Sequence, residues 1–346
     1  MAKIKLLVSA LEPSSNLHLK EVLKHTSDIE LLGIFDKSLG SPLYDISTMA
    51  VMGFVDAIKR VRWFLKVANE MVELAKDADK ILLMDSSGFN LPLAKKIKKI
   101  YPTKEIIYYI LPQVWASRPN RVKRLELYCN RLLGILPFEI EYYNSKVEYV
   151  GHPLLDEIKV INKQENSNVI AFMAGSRRGE IEKLLPIFKK VRERLSKKRA
   201  ILIIPSSFSQ EKIEELYGDI SEFEISRNTH ETLSIAEFAF ICSGTATLES
   251  AIIGTPFVLV YIARPIDYFI GKNILNITQI GLANIILTHF NNSTLHSELL
   301  QDDVTADNLL GEYLNSNRDI FIKKATELRK YLKHGSSKIV ANIISK

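Results

Sequence analysis

The sequence contains only two cysteines, Cys129 and Cys242, and neither belongs to a Cys-x-x-Cys pair. This fits a reducing compartment and argues against a zinc site or a redox dithiol. The seven histidines show no metal-ligand spacing, and the motifs GxxxxGKS/T, GxGxxG and HExxH are absent. We therefore expect neither a metal ion nor a cofactor.

Long hydrophobic runs are also missing. No stretch reaches the roughly 18 to 20 uninterrupted apolar residues that a membrane-spanning helix needs. The N-terminal stretch 1–15 has a short apolar run that ends in turn residues, without the small-residue cleavage site of a secretory signal. We therefore expect a cytoplasmic protein.

The chain does carry an excess of positive charge, with a net charge of +6 and a pI near 9.0. Such a charge attracts polyanions weakly: nucleic acid, an anionic membrane surface or a phosphorylated substrate. The sequence has no aromatic and basic signature of an RRM or KH module, which argues against a nucleic-acid partner.

Short apolar runs alternate with amphipathic helical stretches along the 346 residues. Runs of this kind are typical of buried parallel strands, so the alternation predicts doubly wound α/β domains. A polar run at 163–168 is a linker candidate and predicts two domains, 1–160 and 161–320, followed by a C-terminal helical region, 321–346. The predicted strands lie at residues 4–8, 29–35, 81–84, 106–110, 132–136, 169–173, 200–204, 238–242 and 257–261.

Two loops of the second half follow predicted strands, where open parallel sheets bind their ligands. After 169–173 come Gly175, Ser176 and Arg177, and a helix begins near Glu180. Glycine allows close approach of the backbone, a helix N-terminus attracts an anion, and arginine suits a phosphate. The alternative interpretation is an ordinary tight turn.

After the strand at 238–242 the chain again places small hydroxyl residues and glycine at a helix start, in the order Ser243, Gly244, Thr245, Ala246, Thr247. Glu249 follows about one helical turn later, where a carboxylate can accept hydrogen bonds from the vicinal hydroxyls of a ribose. The alternative is a capping-box glutamate. The two loops together favour a nucleotide-sugar site.

In the first half, Asp85 follows the strand at 81–84, and Glu12 follows the strand at 4–8. An aspartate at the carboxyl end of a strand can act as a general base toward an attacking hydroxyl. The alternative for Asp85 is a turn-forming aspartate that bonds to its own backbone.

The stretch 49–66 combines many large apolar residues with four interspersed cations. This composition suits a helix in a membrane interface or the mouth of an acyl-chain pocket. The alternative is an amphipathic helix that faces the core.

The motifs as a set resemble the lipid-A-disaccharide synthase family along nearly the whole chain. The most specific combination is Val114-Trp115-Ala116, Leu136-Pro137-Phe138-Glu139 and Gly151-His152-Pro153. The resemblance implies a GT-B fold, in which two Rossmann-like domains face each other across a cleft and a C-terminal helix crosses back.

The family transfers 2,3-diacylglucosamine from UDP to 2,3-diacylglucosamine 1-phosphate, which gives the β-1,6-linked lipid A disaccharide and UDP. It needs no metal and sits peripherally on the cytoplasmic face of the inner membrane. We therefore expect an inverting transferase that uses UDP-2,3-diacylglucosamine and the 1-phosphate acceptor, and that contacts the membrane lipid surface. Whether it forms a homodimer is left open.

The site residues expected on this basis fall into four groups. Asp85 is the expected base, with Glu12 as its rival. UDP is expected to bind Gly175, Ser176, Arg177, Glu180, Ser243, Gly244, Thr245, Ala246, Thr247 and Glu249. The acceptor side is expected to include Ser14, Asn90, Trp115, Arg118, His152 and Asn284. The expected membrane contacts are Met52, Phe54, Trp63 and Phe64.

Three alternatives compete with this hypothesis. Two are GT-B-type enzymes: the transferase that adds N-acetylglucosamine to a lipid-linked peptidoglycan precursor, and a UDP-sugar epimerase. The third is a basic RNA- or lipid-binding protein without enzymatic activity, which would leave the catalytic-looking loops unexplained.

Overall fold

The computed structural model describes residues 3–46, 57–116, 119–162, 167–242, 244–263 and 279–346. The chain divides into two units. Unit 1 comprises Met1–Glu157 and Leu332–Lys346, and unit 2 comprises Ile158–Tyr331.

Unit 1 contains a seven-stranded parallel sheet in the order β3-β2-β1-β4-β5-β6-β7. Its strands are β1 Ile4–Ala10, β2 Ile29–Phe35, β3 Tyr44–Asp45, β4 Lys80–Met84, β5 Glu105–Tyr109, β6 Arg131–Gly134 and β7 Val147–Tyr149. The helices described before unit 2 are α1 Pro13–Leu23, α2 Ala57–Leu74, α3 Ser87–Ile100, α4 Arg121–Tyr128 and α5 Pro153–Glu157, with 3₁₀ turns at Lys37–Leu39 and Pro137–Tyr142.

The central strands of unit 1 are apolar on both faces because both faces are covered. Leu7 and Leu83 belong to one hydrophobic core, together with residues of α2, α3 and α4. Their neighbours Leu6 and Leu82 belong to a second core on the opposite face, which helix α1 and the C-terminal residues complete. The period-2 alternation of side chains along a strand divides the residues between these two cores.

Unit 2 contains a six-stranded parallel sheet in the order β10-β9-β8-β11-β12-β13. Its strands are β8 Val169–Met173, β9 Arg199–Ile203, β10 Glu224–Ser226, β11 Phe238–Cys242, β12 Phe257–Tyr261 and β13 Glu298–Leu300. Its described helices are α6 Arg178–Arg194, α7 Gln210–Tyr217, α8 Thr229–Ile235, α9 Thr245–Ile253, α10 Leu282–Asn291, α11 Ala306–Leu314 and α12 Arg318–Leu332, with a 3₁₀ turn at Gln301–Asp303.

The last helix, α13 Ser336–Ile344, packs in unit 1. The predicted C-terminal region began at 321, but residues up to Tyr331 stay with unit 2. Arg329 donates to Ile252 O at 2.8 Å, and the Phe321 ring meets the Phe257 ring at 5.8 Å. These contacts hold α12 on unit 2, so the return to unit 1 starts about one helix later than predicted.

Candidate active site

The two predicted catalytic carboxylates lie at the same corner of unit 1. Strands β1 and β4 pair in parallel with Ala10 opposite Met84, so both chains leave the sheet at its carboxyl edge. Glu12 and Asp85 follow these strand ends. The Ser86 hydroxyl donates to Glu12 Oε1 at 3.1 Å and ties the two turns together. The fold of unit 1 therefore gathers Glu12 and Asp85 into one cluster.

The surroundings of Asp85 favour it as a proton acceptor. Burial raises the pKa of its carboxyl above the ordinary 3.8; a hydrogen bond from the Ser86 backbone lowers that pKa, and the charge of Glu12 raises it. Glu12 itself is exposed. Because a general base works best when its pKa approaches the operating pH, Asp85 is the better suited of the two carboxylates.

A buried histidine that the sequence analysis did not single out belongs to the same region. The His18 ring on α1 is hydrogen-bonded through Nδ1 to Glu157 Oε1, and the two side chains are only 10% and 11% exposed. The charge of His18 lowers the pKa of Asp85. Glu157 lies 139 residues further along the chain, so local spacing carries no signal for this pair.

Asn90, predicted on the acceptor side, is fully buried beneath the Asp85 turn. Its Oδ1 accepts from Ser9 Oγ at 2.6 Å, and its Nδ2 donates to Met84 O at 2.9 Å and to Asp85 O at 3.0 Å. These bonds engage its polar atoms within unit 1, so Asn90 supports the turn.

The other predicted acceptor residues of unit 1 occupy different environments. His152 is buried, its Nδ1 accepts from Leu154 N at 3.3 Å, and burial lowers its pKa to about 3, so the ring is neutral at physiological pH. Trp115 is half-buried with its ring 5.3 Å from that of Phe138, and its buried Nε1 has no hydrogen-bond partner within the described ranges. Ser14 is half-buried in the first turn of α1, close to Glu12 in sequence.

In unit 2, the two predicted donor loops lie side by side because β8 and β11 are neighbours in the sheet. Gly175 follows β8 with φ +96°, a conformation that favours glycine. A side-chain carbon at Gly175 would lie 2.4 Å from Glu180 Oε2 and 3.1 Å from Cys242 Sγ. The first loop therefore needs glycine to pass between the start of α6 and the end of β11.

The Glu180 carboxylate accepts hydrogen bonds from the first loop itself. Its Oε2 accepts from the backbone N–H groups of Ser176 and Arg177, both at 3.1 Å, and its Oε1 accepts from Arg177 Nη1 at 2.7 Å. The expectation that this helix start offers bare N–H groups to a diphosphate is therefore not met at these two residues. The Arg177 side chain remains 79% exposed, and only one of its guanidinium nitrogens is engaged by Glu180.

The second loop is more open. Gly244 and Thr245 are exposed and Ala246 is half-buried at the start of α9, while Thr247 is buried and its Oγ1 donates to Gly244 O at 2.8 Å. The first N–H groups of a helix lack intrahelical partners, so this start can bind an anion.

Glu249, one turn further along α9, faces a histidine instead of capping the helix. His230 Nε2 lies 3.4 Å from Glu249 Oε2, and the Glu249 side chain is 18% exposed. A capping-box glutamate does occur in unit 2, but it is Glu180 at the start of α6 and not Glu249. His230 is a second residue that the sequence analysis missed, since it lies in α8, outside both predicted loops.

Asn284, the remaining predicted acceptor residue, is buried in unit 2 and bonded within it. Its Nδ2 donates to His296 O at 2.9 Å and to Glu298 Oε1 at 2.8 Å, while its Oδ1 accepts from Leu295 N at 2.8 Å. Glu298 in turn accepts from Gly281 N at 3.1 Å. Asn284 thus joins the start of α10 to β13, which is a structural role.

Helix α2 was predicted to meet the membrane, but both of its described aromatic side chains face the hydrophobic core of unit 1. Trp63 and Phe64 are partly buried and pack against the core, with the Phe64 ring 5.7 Å from that of Phe89. Leu65 is 52% exposed on the same helix. The predicted residues Met52, Phe54, Arg118 and Ser243 lie outside the described residues.

Across the ranges that the structure describes, no group of three or more His, Cys, Asp or Glu side chains is arranged to hold a metal ion. No helix within those ranges is both long enough and apolar enough to cross a membrane.

Solved structures with a similar fold define the class of protein. UDP-GlcNAc 2-epimerase from Neisseria meningitidis bound to UDP-GlcNAc matches with a TM-score of 0.63 at 12% identity, covering 99% of each chain. The calicheamicin glycosyltransferase CalG4 matches with a TM-score of 0.61 at 12% identity, covering 99% of this chain and 98% of that one. The two parallel-sheet units are thus those of a GT-B protein, as predicted.

Sequence relatives define the family. A family model described as Lipid-A-disaccharide synthetase matches residues 6–343. Lipid-A-disaccharide synthase of Helicobacter pylori (strain G27) is 49% identical over 350 residues, covering 97% of each chain. That of Campylobacter jejuni (strain RM1221) is 45% identical over 362 residues, covering 98% of each. The chain belongs to the lipid-A-disaccharide synthase family of glycosyltransferases, which confirms the resemblance and decides against the three alternatives.

Proposed function

We propose that the chain transfers 2,3-diacylglucosamine from UDP to 2,3-diacylglucosamine 1-phosphate and forms the β-1,6-linked disaccharide. In this single inverting displacement, the acceptor 6-hydroxyl oxygen bonds to the sugar C1 while the bond from C1 to the UDP oxygen breaks. The hydroxyl proton passes to a base, and UDP leaves with the electron pair. The cluster of Asp85 with Glu12 is the observation that carries the proposal, because it supplies that base.

The direct test is to incubate the protein with both acylated substrates and to identify the lipid product by mass spectrometry. The expected result is a disaccharide 1-phosphate that appears together with an equal amount of UDP. Release of UDP without a disaccharide, or turnover of a different UDP-sugar alone, would contradict the proposed reaction.

On the donor side, we assign the diphosphate to Arg177 and to the start of α9. Arg177 keeps unengaged guanidinium N–H groups, and α9 offers its first N–H groups and the positive end of its dipole. Donors aimed at the leaving diphosphate stabilise the charge that develops in the transition state. Glu249, held beside His230, is assigned to the ribose hydroxyls.

Arg177→Ala is expected to weaken UDP binding about tenfold, because one charge-assisted hydrogen bond at an exposed site is lost. The measurement is a calorimetric titration with UDP. Arg178→Ala is the matched control, since Arg178 pairs with Glu182 and Glu215 on the adjacent surface. Equal UDP affinities for the two variants would reject the role of Arg177.

We also propose that the protein acts in the cytoplasm, peripherally on the inner face of the inner membrane, where its acylated substrates lie. Helix α2 supports this location with Leu65, which is exposed between Arg62 and Lys66 on an outward face. Cations beside an exposed apolar side chain suit an anionic lipid interface. Because Trp63 and Phe64 pack against the core, Leu65 is the sharper residue for a test.

Leu65→Ser is expected to lower binding to vesicles of phosphatidylethanolamine and phosphatidylglycerol about tenfold, as the loss of one inserted leucine side chain implies. Co-sedimentation measures the effect. Leu127→Ser removes an equally large side chain that is 68% exposed on α4, and it should leave vesicle binding unchanged. Equal losses in both variants, or none in either, would contradict a membrane-facing α2.

A further inference from the structure

Two consecutive residues at the end of β4 adopt a backbone conformation that side-chain-bearing residues rarely take. Asp85 has φ 48° and Ser86 has φ 35°, and neither is glycine. Such residues persist only where the surrounding structure holds them, and they concentrate at functional sites.

The carbonyl oxygen of Asp85 is held by two buried side chains. The Tyr108 hydroxyl on β5 donates to Asp85 O, and Asn90 Nδ2 on α3 donates to the same oxygen at 3.0 Å. Asn90 is fixed in turn by Ser9 Oγ of β1, which donates to Asn90 Oδ1 at 2.6 Å. Tyr108, Asn90 and Ser9 are all fully buried, so packing within unit 1 fixes the side chains that make these bonds.

Three elements thus converge on one peptide group. Strand β5 contributes Tyr108, helix α3 contributes Asn90, and strand β1 contributes Ser9. The Asp85 backbone N–H also donates to Tyr109 O at 3.1 Å. The two peptide groups that flank Asp85 are therefore both fixed, one through its N–H and the other through its carbonyl oxygen, so the fold sets where the Asp85 side chain leaves the backbone.

We propose that Tyr108 and Asn90 are positioning residues, which hold the Asp85 peptide so that its carboxylate stands beside Glu12 in the geometry needed to accept the proton of the acceptor hydroxyl. This inference rests on the proposed role of Asp85 as the base and deepens it. A small displacement of a catalytic group, on the order of 1 Å, can lower the rate ~100-fold, so loss of one holding bond should be visible in turnover.

The test is Tyr108→Phe, which keeps the buried ring and removes only the hydroxyl. We expect kcat to fall about 10- to 100-fold, with UDP affinity and the KM for the UDP-sugar near wild type. Tyr109→Phe is the matched control. Tyr109 is the adjacent residue, is equally buried, and bonds to Ser336 Oγ at 2.8 Å on the other face of the sheet. It should lose comparable stability and keep its kcat.

A double-mutant cycle separates positioning from general damage. In an Asp85→Asn background the Tyr108→Phe change should have little further effect on kcat, because there is no base left to position. An equal loss in both backgrounds, a wild-type kcat for Tyr108→Phe, or an equal loss for Tyr109→Phe would overturn the inference.

Two possible results, an unfolded Tyr108→Phe variant and an active Asp85→Asn variant, have separate consequences. If Tyr108→Phe does not fold, Ser9→Ala takes its place as the test variant. It removes a smaller group, the hydroxyl that donates to Asn90 Oδ1, and should lower kcat less than Tyr108→Phe. An unchanged kcat in Ser9→Ala would then overturn the inference. If Asp85→Asn keeps its turnover, the base assignment itself fails, whereas an inactive Asp85→Asn beside a fully active Tyr108→Phe defeats only the positioning role.

Discussion

Asp85→Asn is expected to lower kcat by ~10²- to 10⁴-fold, the contribution typical of a general base. The asparagine side chain has nearly the same shape and tolerates the left-handed backbone that Asp85 adopts, so the turn should persist. What is lost is an ionised group that can accept the acceptor hydroxyl proton. Steady-state turnover with saturating substrates measures the effect.

The same variant should be no less stable than the wild type. Burial raises the folded-state pKa of Asp85 above its unfolded value, so the folded protein binds this proton more tightly than the unfolded chain does. The buried charge therefore does not lower the free energy of unfolding below the unfolded pKa of about 3.9, where both states are protonated. It lowers that free energy by its full amount above the folded pKa, where both states are ionised. At neutral pH a neutral asparagine removes that cost, and the thermal midpoint should be equal or higher, which separates lost chemistry from lost folding.

Glu12→Gln is the matched comparison for the base assignment. Glu12 is exposed and accepts a hydrogen bond from Ser86, the residue next to Asp85, so its loss should reduce turnover much less. Its charge also raises the pKa of Asp85, so the acidic limb of the kcat/KM profile should move to lower pH in this variant. The assignment reverses if Glu12→Gln is the inactive variant and Asp85→Asn turns over normally.

The fold was predictable wherever strands are buried on both faces. Residues 29–35, 169–173, 238–242 and 257–261 are strands with the predicted bounds, because each is an apolar run between polar residues. The four strands that were not predicted are the edges of the two sheets: β3, β7, β10 and β13. They are two or three residues long and partly exposed, so they lack the apolar run that marks a central strand.

For the candidate site, the sequence predicts which turns carry the polar residues. It predicts much less well which side chains those residues contact. Within each unit, parallel strands deliver their following loops to the same edge of the sheet, which locates Asp85 in unit 1 and the loops of Arg177 and Glu249 in unit 2. Partners distant in sequence, such as Glu157 for His18, depend on how helices pack and leave no local pattern. Glu180 is different, because its spacing of three residues from Arg177 is the capping-box spacing and was open to prediction.

Asp156→Ala is expected to destabilise the attachment of α13 to unit 1 by about 3 kcal/mol, the contribution of two hydrogen bonds to a charged group. Asp156 Oδ1 accepts from Gly335 N and Oδ2 accepts from Ser337 N, both at 2.8 Å, and its side chain is 12% exposed. The carboxylate also lies at the positive end of the α13 dipole. Without it, two N–H groups at the start of the helix lose their partner.

Hydrogen exchange tests this locally, and amides of α13 should lose about 100-fold in protection, since each 1.4 kcal/mol is about tenfold. Amides of β8 provide an internal control, because they belong to unit 2 and should not change. His334→Ala removes only an exposed partner 3.9 Å from Asp156 and should change protection less than threefold. Unchanged α13 protection in Asp156→Ala would mean that the other contacts of the helix, such as the buried Val340 and Ile344 and the Tyr109–Ser336 hydrogen bond, hold it in place without Asp156.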